Sequence, residues 1–330
     1  MNLENAKKKL VVTESPHVRS GASTTGIMLD VIIALIPSLI AGILVFGYRS
    51  LVLSIVCIVS CMFFEWAWCR IIKKPSTVCD LSAAVTGLLL SLNLPVTAPF
   101  WLAIIGALFA IIVVKQFFGG IGHNFMNPAL AARAFLLTSW AGTMTTWVAP
   151  FTKVSFFNNA DAVSSATPLS LLNSSEALPT YLDLFLGKVG GCIGEVSSLA
   201  ILIGAAYLIW RKVISIRIPA TYILTVAVLT FVFGGETLFT GNALYHILSG
   251  GLLLGAFFMA TDYVTTPCTQ KGQIVFGIGC GILTAVIRLW GGYPEGVTYS
   301  ILLMNVATPL IERYTMPKRF GVKGGAGNAE

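Results

Sequence analysis

Apolar residues run in stretches near twenty long, separated by short polar or basic breaks. A helix crossing the hydrocarbon layer needs roughly 20 such residues, at about 1.5 Å of rise each. Ten runs meet or approach that length: 26–46, 50–69, 80–95, 98–116, 126–143, 192–210, 218–234, 243–262, 273–290 and 297–314. The third is short and ends at Asn93-Leu94-Pro95, so it is expected to be broken or to cross only in part. The pattern predicts an all-α polytopic membrane protein of about ten transmembrane helices. Its expected parts are an N-terminal segment 1–25, a first membrane half 26–143, a loop 144–191, a second half 192–314 and a tail 315–330.

The halves echo each other. Thr86-Gly87-Leu88-Leu89-Leu90 is similar to Gly250-Gly251-Leu252-Leu253-Leu254, Gly119-Gly120 to Gly291-Gly292, and Met126-Asn127 to Met304-Asn305. The order is kept while loop lengths drift. Five spans per half is an odd number, so the second half would insert upside down. That is the plan of two five-helix inverted repeats, with function near their interface. Chance matching among Gly- and Leu-rich helices is the competing account.

Composition agrees with a bilayer setting. Only 11% of the 330 residues are charged, against roughly 25% in soluble domains. The first 25 residues are polar and charged, and no secretory signal is read there. With the N-terminus in the cytoplasm, the inner segments hold Lys7, Lys8, Lys9, Arg19, Arg70, Lys73, Lys74, Lys115, Arg211, Lys212, Arg217, Lys271, Arg313, Lys318, Arg319 and Lys323. The outer side holds Arg49, Lys153, Lys188 and Arg288. This bias places both termini in the cytoplasm and the 144–191 loop outside. The net charge of +7 then reflects orientation and anionic lipid, with no nucleic-acid partner.

Candidate chemistry sits in the polar interruptions. Thr167-Pro168 reads as a helix N-cap with Pro at the first helical position. A phosphate ester on that hydroxyl would face free backbone N–H groups. The same dipeptide serves equally as an ordinary cap or turn. Asp30, Glu65, Asp80, Glu195, Asp262, Glu312, Arg133 and Arg288 fall in or at the ends of spans. Each needs a partner or a polar cavity, because a charge in hydrocarbon costs roughly 2.5–3.5 kcal/mol. Asp30 and Asp262 could pair with bases or mark a cation entrance, and Arg133 needs a carboxylate, a carbonyl or a bound anion. Gly119-Gly120-Ile121-Gly122-His123-Asn124 precedes Asn127-Pro128, a second cap-plus-Pro start. Its glycines permit a ligand to approach the backbone, or simply a tight turn. The seven cysteines form no CxxC pair, and His17, His123 and His246 lie far apart, so ordinary packing is expected of them.

These motifs carry a family resemblance. Ser15-Pro16-His17-Val18-Arg19, then Met28-Leu29-Asp30-Val31-Ile32-Ile33-Ala34-Leu35-Ile36-Pro37, resembles the opening of the D-type membrane component of Rnf complexes (RnfD). Gly119 to Ala129 resembles its central motif, and Phe258-Met259-Ala260-Thr261-Asp262 and Gly291 to Gly296 resemble later ones. The B-type component of sodium-translocating NADH:quinone reductases is a close relative. It typically carries a longer N-terminal region, which favours the Rnf side here. The resemblance implies FMN bound covalently, through a phosphoester, to the Thr of an Asp-x-x-Ser-Gly-Ala-Thr pattern. Asp161, Ser164, Ala166 and Thr167 occupy that pattern, with Ser165 where Gly is commonest. Ser is expected to be tolerated unless that position needs positive φ.

The resemblance further implies a flavin transferase that installs the FMN on the outer face, and a second, noncovalent riboflavin. It implies partners, the other Rnf subunits (A, B, C, E and G), in a cell-membrane complex passing electrons between ferredoxin and NAD while moving Na+ or H+. No strand–GxGxxG–helix unit and no cysteine set for a cluster are read here, which suits an electron carrier that binds neither NAD nor ferredoxin. A channel for a small neutral solute such as urea, or a scaffold for redox partners, would fit the same fold.

Overall fold

The computed structural model describes residues 23–152, 165–172, 178–235, 237–291 and 296–317. Three helices are long and apolar enough to cross a membrane by length and composition: α1 (Thr24–Phe46), α2 (Tyr48–Ile72) and α13 (Gln270–Trp290). Ser23 caps α1 through its side chain, which accepts from the Gly26 N–H. Gly47, at φ +82°, turns the chain straight back into α2. The helix α4 (Phe100–Leu108) continues as a π-helical stretch (Phe109–Gln116), while α10 (Arg217–Phe233) and α14 (Val297–Thr315) complete the longer elements. The short α6 (Ala141–Met144) and α8 (Tyr181–Leu186) lie in the connections.

Three of the expected spans are broken. The 80–95 run yields α3 (Ser82–Leu92), eleven residues long, or about 17 Å against a hydrocarbon core of about 30 Å. The 126–143 run yields α5 (Pro128–Ser139), only twelve residues. The 243–262 run splits into α11 (Ala243–Leu248), α12 (Leu252–Leu254) and a π turn (Gly255–Met259). The causes are local. Asn93-Leu94-Pro95 stops α3, Asn127-Pro128 starts α5 late, and Gly250-Gly251 parts α11 from α12. Asn127 is a full N-cap, its Oδ1 accepting from Ala129 N–H at 3.0 Å and Leu130 N–H at 3.4 Å. The cap expected there is borne out.

A helix ending at membrane depth must satisfy its carbonyls inside the protein. All eleven residues of α3 are buried. The chain entering α9 (Ser198–Trp210) supplies the missing donors. Gly194 N–H reaches Leu92 O at 2.8 Å, and Ile193 N–H reaches Leu94 O at 3.1 Å. Asn93 Nδ2 adds a bond to Leu89 O at 2.7 Å. That approach needs a residue without a side chain, since a Cβ on Gly194 would lie 2.6 Å from Leu92 Cβ and 3.0 Å from its carbonyl oxygen.

The halves meet along matching elements. Helices α1 and α9, each first in its half, pack so closely that a Cβ on Gly204 would lie within bonding range of the Ala34 carbonyl. Small residues at such a seam let backbones approach, the usual mode of helix contact in lipid. Helices α5 and α14, each last in its half, also touch. There Asn305, with its amide turned to satisfy both neighbours, accepts from Asn127 N–H at 3.2 Å and donates to Thr265 O at 3.3 Å.

Replacing Gly194 by Ala forces this junction apart. The change should cost about 1–3 kcal/mol, read as a lowered unfolding temperature of the purified chain in detergent. Gly142→Ala is the control, because nothing lies within 4 Å of a Cβ there.

Candidate functional site

Thr167 stands at the head of α7 (Pro168–Leu172). It is 6% exposed. Its carbonyl accepts from Ser170 N–H at 3.0 Å and Leu171 N–H at 3.1 Å, which makes it the helix start read from the sequence. Its hydroxyl donates to Ser170 Oγ at 3.2 Å and accepts weakly from Ser170 N–H at 3.4 Å. The helix is a single short turn, so its dipole contributes less than a full-length helix would. Neighbouring backbone fixes the segment: Ser165 N–H reaches Trp147 O at 3.1 Å, and Tyr245 Oη donates to Pro168 O at 3.3 Å. Ser165 does not have left-handed backbone, so the condition under which Ser would fail in place of Gly is not met. It packs on Gly190, and its buried Oγ has no partner among the described residues. Asp161 and Ser164 lie outside the described residues.

Beneath Thr167 a small cleft of about 20 Å³ reaches Gly191, Ser249, Gly250 and Glu195. Glu195 leads to Arg133. Arg133 is 5% exposed, and its Nη1 donates to Glu195 Oε1 at 3.0 Å and Asn93 Oδ1 at 2.7 Å. Its Nη2 lies 3.3 Å from Cys192 Sγ. Among the three sequence alternatives for Arg133, the carboxylate holds. The arginine on α5 thereby binds both the broken end of α3 and the segment that caps it.

On the opposite side, a cavity of about 110 Å³ lies between the halves. Its wall includes Thr86, Lys115, Asn124 and Asn127 from the first half and Thr261 and Asp262 from the second. Both π-helical stretches border it. Phe117 N–H reaches back five residues to Ile112 O at 3.0 Å, and Ala260 N–H to Gly255 O at 2.7 Å. Such insertions are frequent at functional sites. Gly119, Gly120 and Gly122 carry φ of +118°, +95° and +90°, so this loop uses glycine for a turn and also brings Ile121 and Asn124 to the cavity.

Lys115 departs from its expected role as a surface basic residue. It is 3% exposed, and its Nζ donates to both oxygens of Glu65 at 3.0 Å and to Ser82 Oγ at 2.7 Å. Thr77 and Gln116 donate to the same carboxylate at 2.6 and 3.2 Å. Asp262 accepts from Thr265 Oγ1 at 3.2 Å beside the cavity. Asp30 instead bridges the first helices of the two halves, bonding Tyr207 Oη at 2.8 Å and Arg211 Nη2 at 3.2 Å. It therefore takes the base-pairing alternative. The partners Glu65 with Lys115 and Glu195 with Arg133 lie 50 and 62 residues apart, and no local spacing joins them. The need of each span charge for a counter-charge was the only signal.

Removing one member of a buried pair leaves the other charge uncompensated, at about 3–5 kcal/mol. Glu195→Leu should therefore destabilise the chain sharply, and Arg133→Leu combined with it should recover a large part of the loss. Unfolding temperatures of the singles and the double in detergent give the coupling. Equal losses in the double and the summed singles would refute it.

Comparison with known proteins agrees with this arrangement. Residues 11–321 match the model of the NQR2, RnfD, RnfE family. The chain is 52% identical over 317 residues to the RnfD-type component of the Na+-translocating ferredoxin:NAD+ oxidoreductase complex of Acetobacterium woodii, covering 95% of this chain and 96% of that one. It is 45% identical over 328 residues to the corresponding component of the proton-translocating ferredoxin:NAD+ oxidoreductase complex of Clostridium ljungdahlii, covering 96% and 98%. To the corresponding component of the ion-translocating oxidoreductase complex of Stutzerimonas stutzeri it is 38% identical over 328 residues, covering 91% and 93%. With near full-length coverage at these identities and a family match across most of its length, the chain belongs to the NQR2, RnfD, RnfE family.

Proposed function

We propose that this chain is the membrane electron-carrier subunit of an ion-translocating ferredoxin:NAD oxidoreductase and carries FMN esterified to Thr167. The observation that carries the reading is Thr167 itself. Its hydroxyl heads α7 and is held by one neighbour of its own turn, Ser170. The surroundings suit a further polar group, because Ser165 Oγ, His246 Nδ1 and Ser249 Oγ are buried without partners among the described residues. A flavin supplies the acceptance and donation of electrons, and the protein supplies position and electrostatics. Ser170 offers a hydroxyl and an N–H to a phosphate at Thr167. Asp161 and Ser164 complete the pattern by which a flavin transferase would recognise the loop.

In this reading both termini are cytoplasmic, and Thr167 faces the other side of the cell membrane. The basic residues support it: Arg70, Lys73, Lys74 and Arg211 cluster at one end of the bundle, and the Thr167 segment lies at the other, tied through Trp147 to the loop at the far end of α1. The halves are inverted repeats. The contacts of first helix with first and last with last support this, as does the meeting of Asn127 with Asn305.

The cavity between the halves is the place for a noncovalent riboflavin, with apolar walls and the Asn124 and Asn127 amides at its edge. Negative charge gained there on reduction would draw a cation towards Asp262. Relatives named for Na+ and for protons are both close to this chain, at 52% and 45% identity, so kinship leaves the ion open. Partners are the other Rnf subunits (A, B, C, E and G).

The test is a denaturing gel of membranes from cells that make the flavin transferase. The native chain should give an SDS-resistant fluorescent band. Thr167→Ser should keep it in part, while Thr167→Ala should reduce it to background with the chain still inserted. A bright Thr167→Ala band would disprove the attachment point, and a dark native band would turn the reading towards a solute channel or a scaffold.

A further inference from the structure

Between α7 and the last turn of α13 lies a polar cavity of about 200 Å³. Its wall includes Leu169 and Leu172 from α7, His246 from α11, Arg288 and Trp290 from α13, and Phe233 from α10. Arg288 is 5% exposed. Its Nη1 donates to His246 O at 2.6 Å and its Nη2 to Ser249 O at 3.3 Å. Those two bonds span the break between α11 and α12 and fix the guanidinium as a positive charge at the cavity wall. Two buried atoms beside it, His246 Nδ1 and Ser249 Oγ, have no partner among the described residues. An unsatisfied buried polar atom costs about 1–3 kcal/mol, so two of them next to a buried cation mark a place where a polar ligand completes the set.

The cavity adjoins the cleft of Thr167. Leu169, two residues on from Thr167, borders both. At their junction Gly250 has φ +66°, and a Cβ there would lie 2.8 Å from Leu169 Cδ1 and 3.3 Å from Arg288 Nη2. A group tethered at Thr167 by a phosphate and a ribityl arm therefore has an enclosed space within reach, walled by aromatic and aliphatic side chains and holding one fixed cation.

We propose that this cavity receives the isoalloxazine ring of the flavin esterified to Thr167, and that Arg288 sets the potential of that ring. The inference rests on the attachment at Thr167. Reduction of the ring by two electrons from the iron–sulfur donor of the complex, with one proton taken up at N5, leaves one negative charge shared by N1 and the C2 carbonyl. A guanidinium held near that charge favours the reduced form and raises the potential. Arg288 is thus a positioning residue for electrostatics. Trp290 supplies an aromatic wall that quenches the emission of a flavin in contact with it.

The experiment uses the full chain, matured in cells with the flavin transferase and purified in mild detergent. In Arg288→Gln, the covalent flavin should remain on the gel, and its preference for the reduced state should fall at least tenfold, a drop of about 30 mV for a two-electron couple. Arg288→Lys should restore part of that shift. In Trp290→Leu, the folded protein should brighten severalfold, and the difference should vanish in SDS. Trp290 is 65% exposed, so that variant decides the matter even if Arg288→Gln fails to fold. Retained flavin with unchanged potential and unchanged brightness would overturn the ring's placement and leave Thr167 as the attachment point. Absence of covalent flavin from the native chain would instead remove the reading on which the placement rests.

Discussion

A helix that stops halfway through hydrocarbon leaves its last carbonyls with no water to turn to. The end of α3 poses that problem, and much of the architecture follows from how it is met. The N–H groups of Ile193 and Gly194, from the opposite half of the chain, close on Leu94 and Leu92. Asn93 then faces Arg133, and Arg133 takes Glu195 from the same capping segment. One junction thus fixes α3, α5 and the entry to α9 together. It also carries the floor of the Thr167 cleft, since Glu195 lines both.

The same logic repeats elsewhere. Helix α5 begins late, so Asn127 caps it, and its side chain also donates to Met259 O at 3.3 Å in the other half. Helices α11 and α12 are parted at Gly250-Gly251, and Arg288 bridges the carbonyls on their broken edge. Irregular backbone at depth is tolerated where protein covers it or a cavity lines it. Here each break borders a cavity or cleft. The breaks are therefore where polar chemistry collects, and the long helices α1, α2 and α13 serve to hold them in register.

Burial gives the charged residues two distinct roles. Arg211 with Asp30 is partly solvated, the arginine side chain 53% exposed, and such pairs contribute little to stability. Lys115 with Glu65 and Arg133 with Glu195 are both dry, with side chains 6% exposed or less. Pairs of that kind gain little over apolar packing yet are costly to break, so their value lies in specifying which helices meet. Lys115 also borders the cavity between the halves, where a change of flavin charge would be felt.

The one-dimensional pattern determined what depends on neighbours in the chain. Run length and sparse charge identify the bilayer setting, Asn93-Leu94-Pro95 and Asn127-Pro128 mark helix ends, and Thr167-Pro168 marks a helix start. These were legible because caps and prolines act within a single turn. Asp161 and Ser164 of the attachment pattern stay matters of sequence alone. Only the tertiary structure decided that the third, fifth and eighth runs are interrupted at depth, that Lys115 is buried on Glu65, that Arg133 finds Glu195, and that Arg288 and His246 stand beside α7. Those pairings join residues far apart in sequence, and a charge in hydrocarbon announces that it needs a counter-charge without saying which. The choice is made by helix packing, which brings distant residues to the same depth.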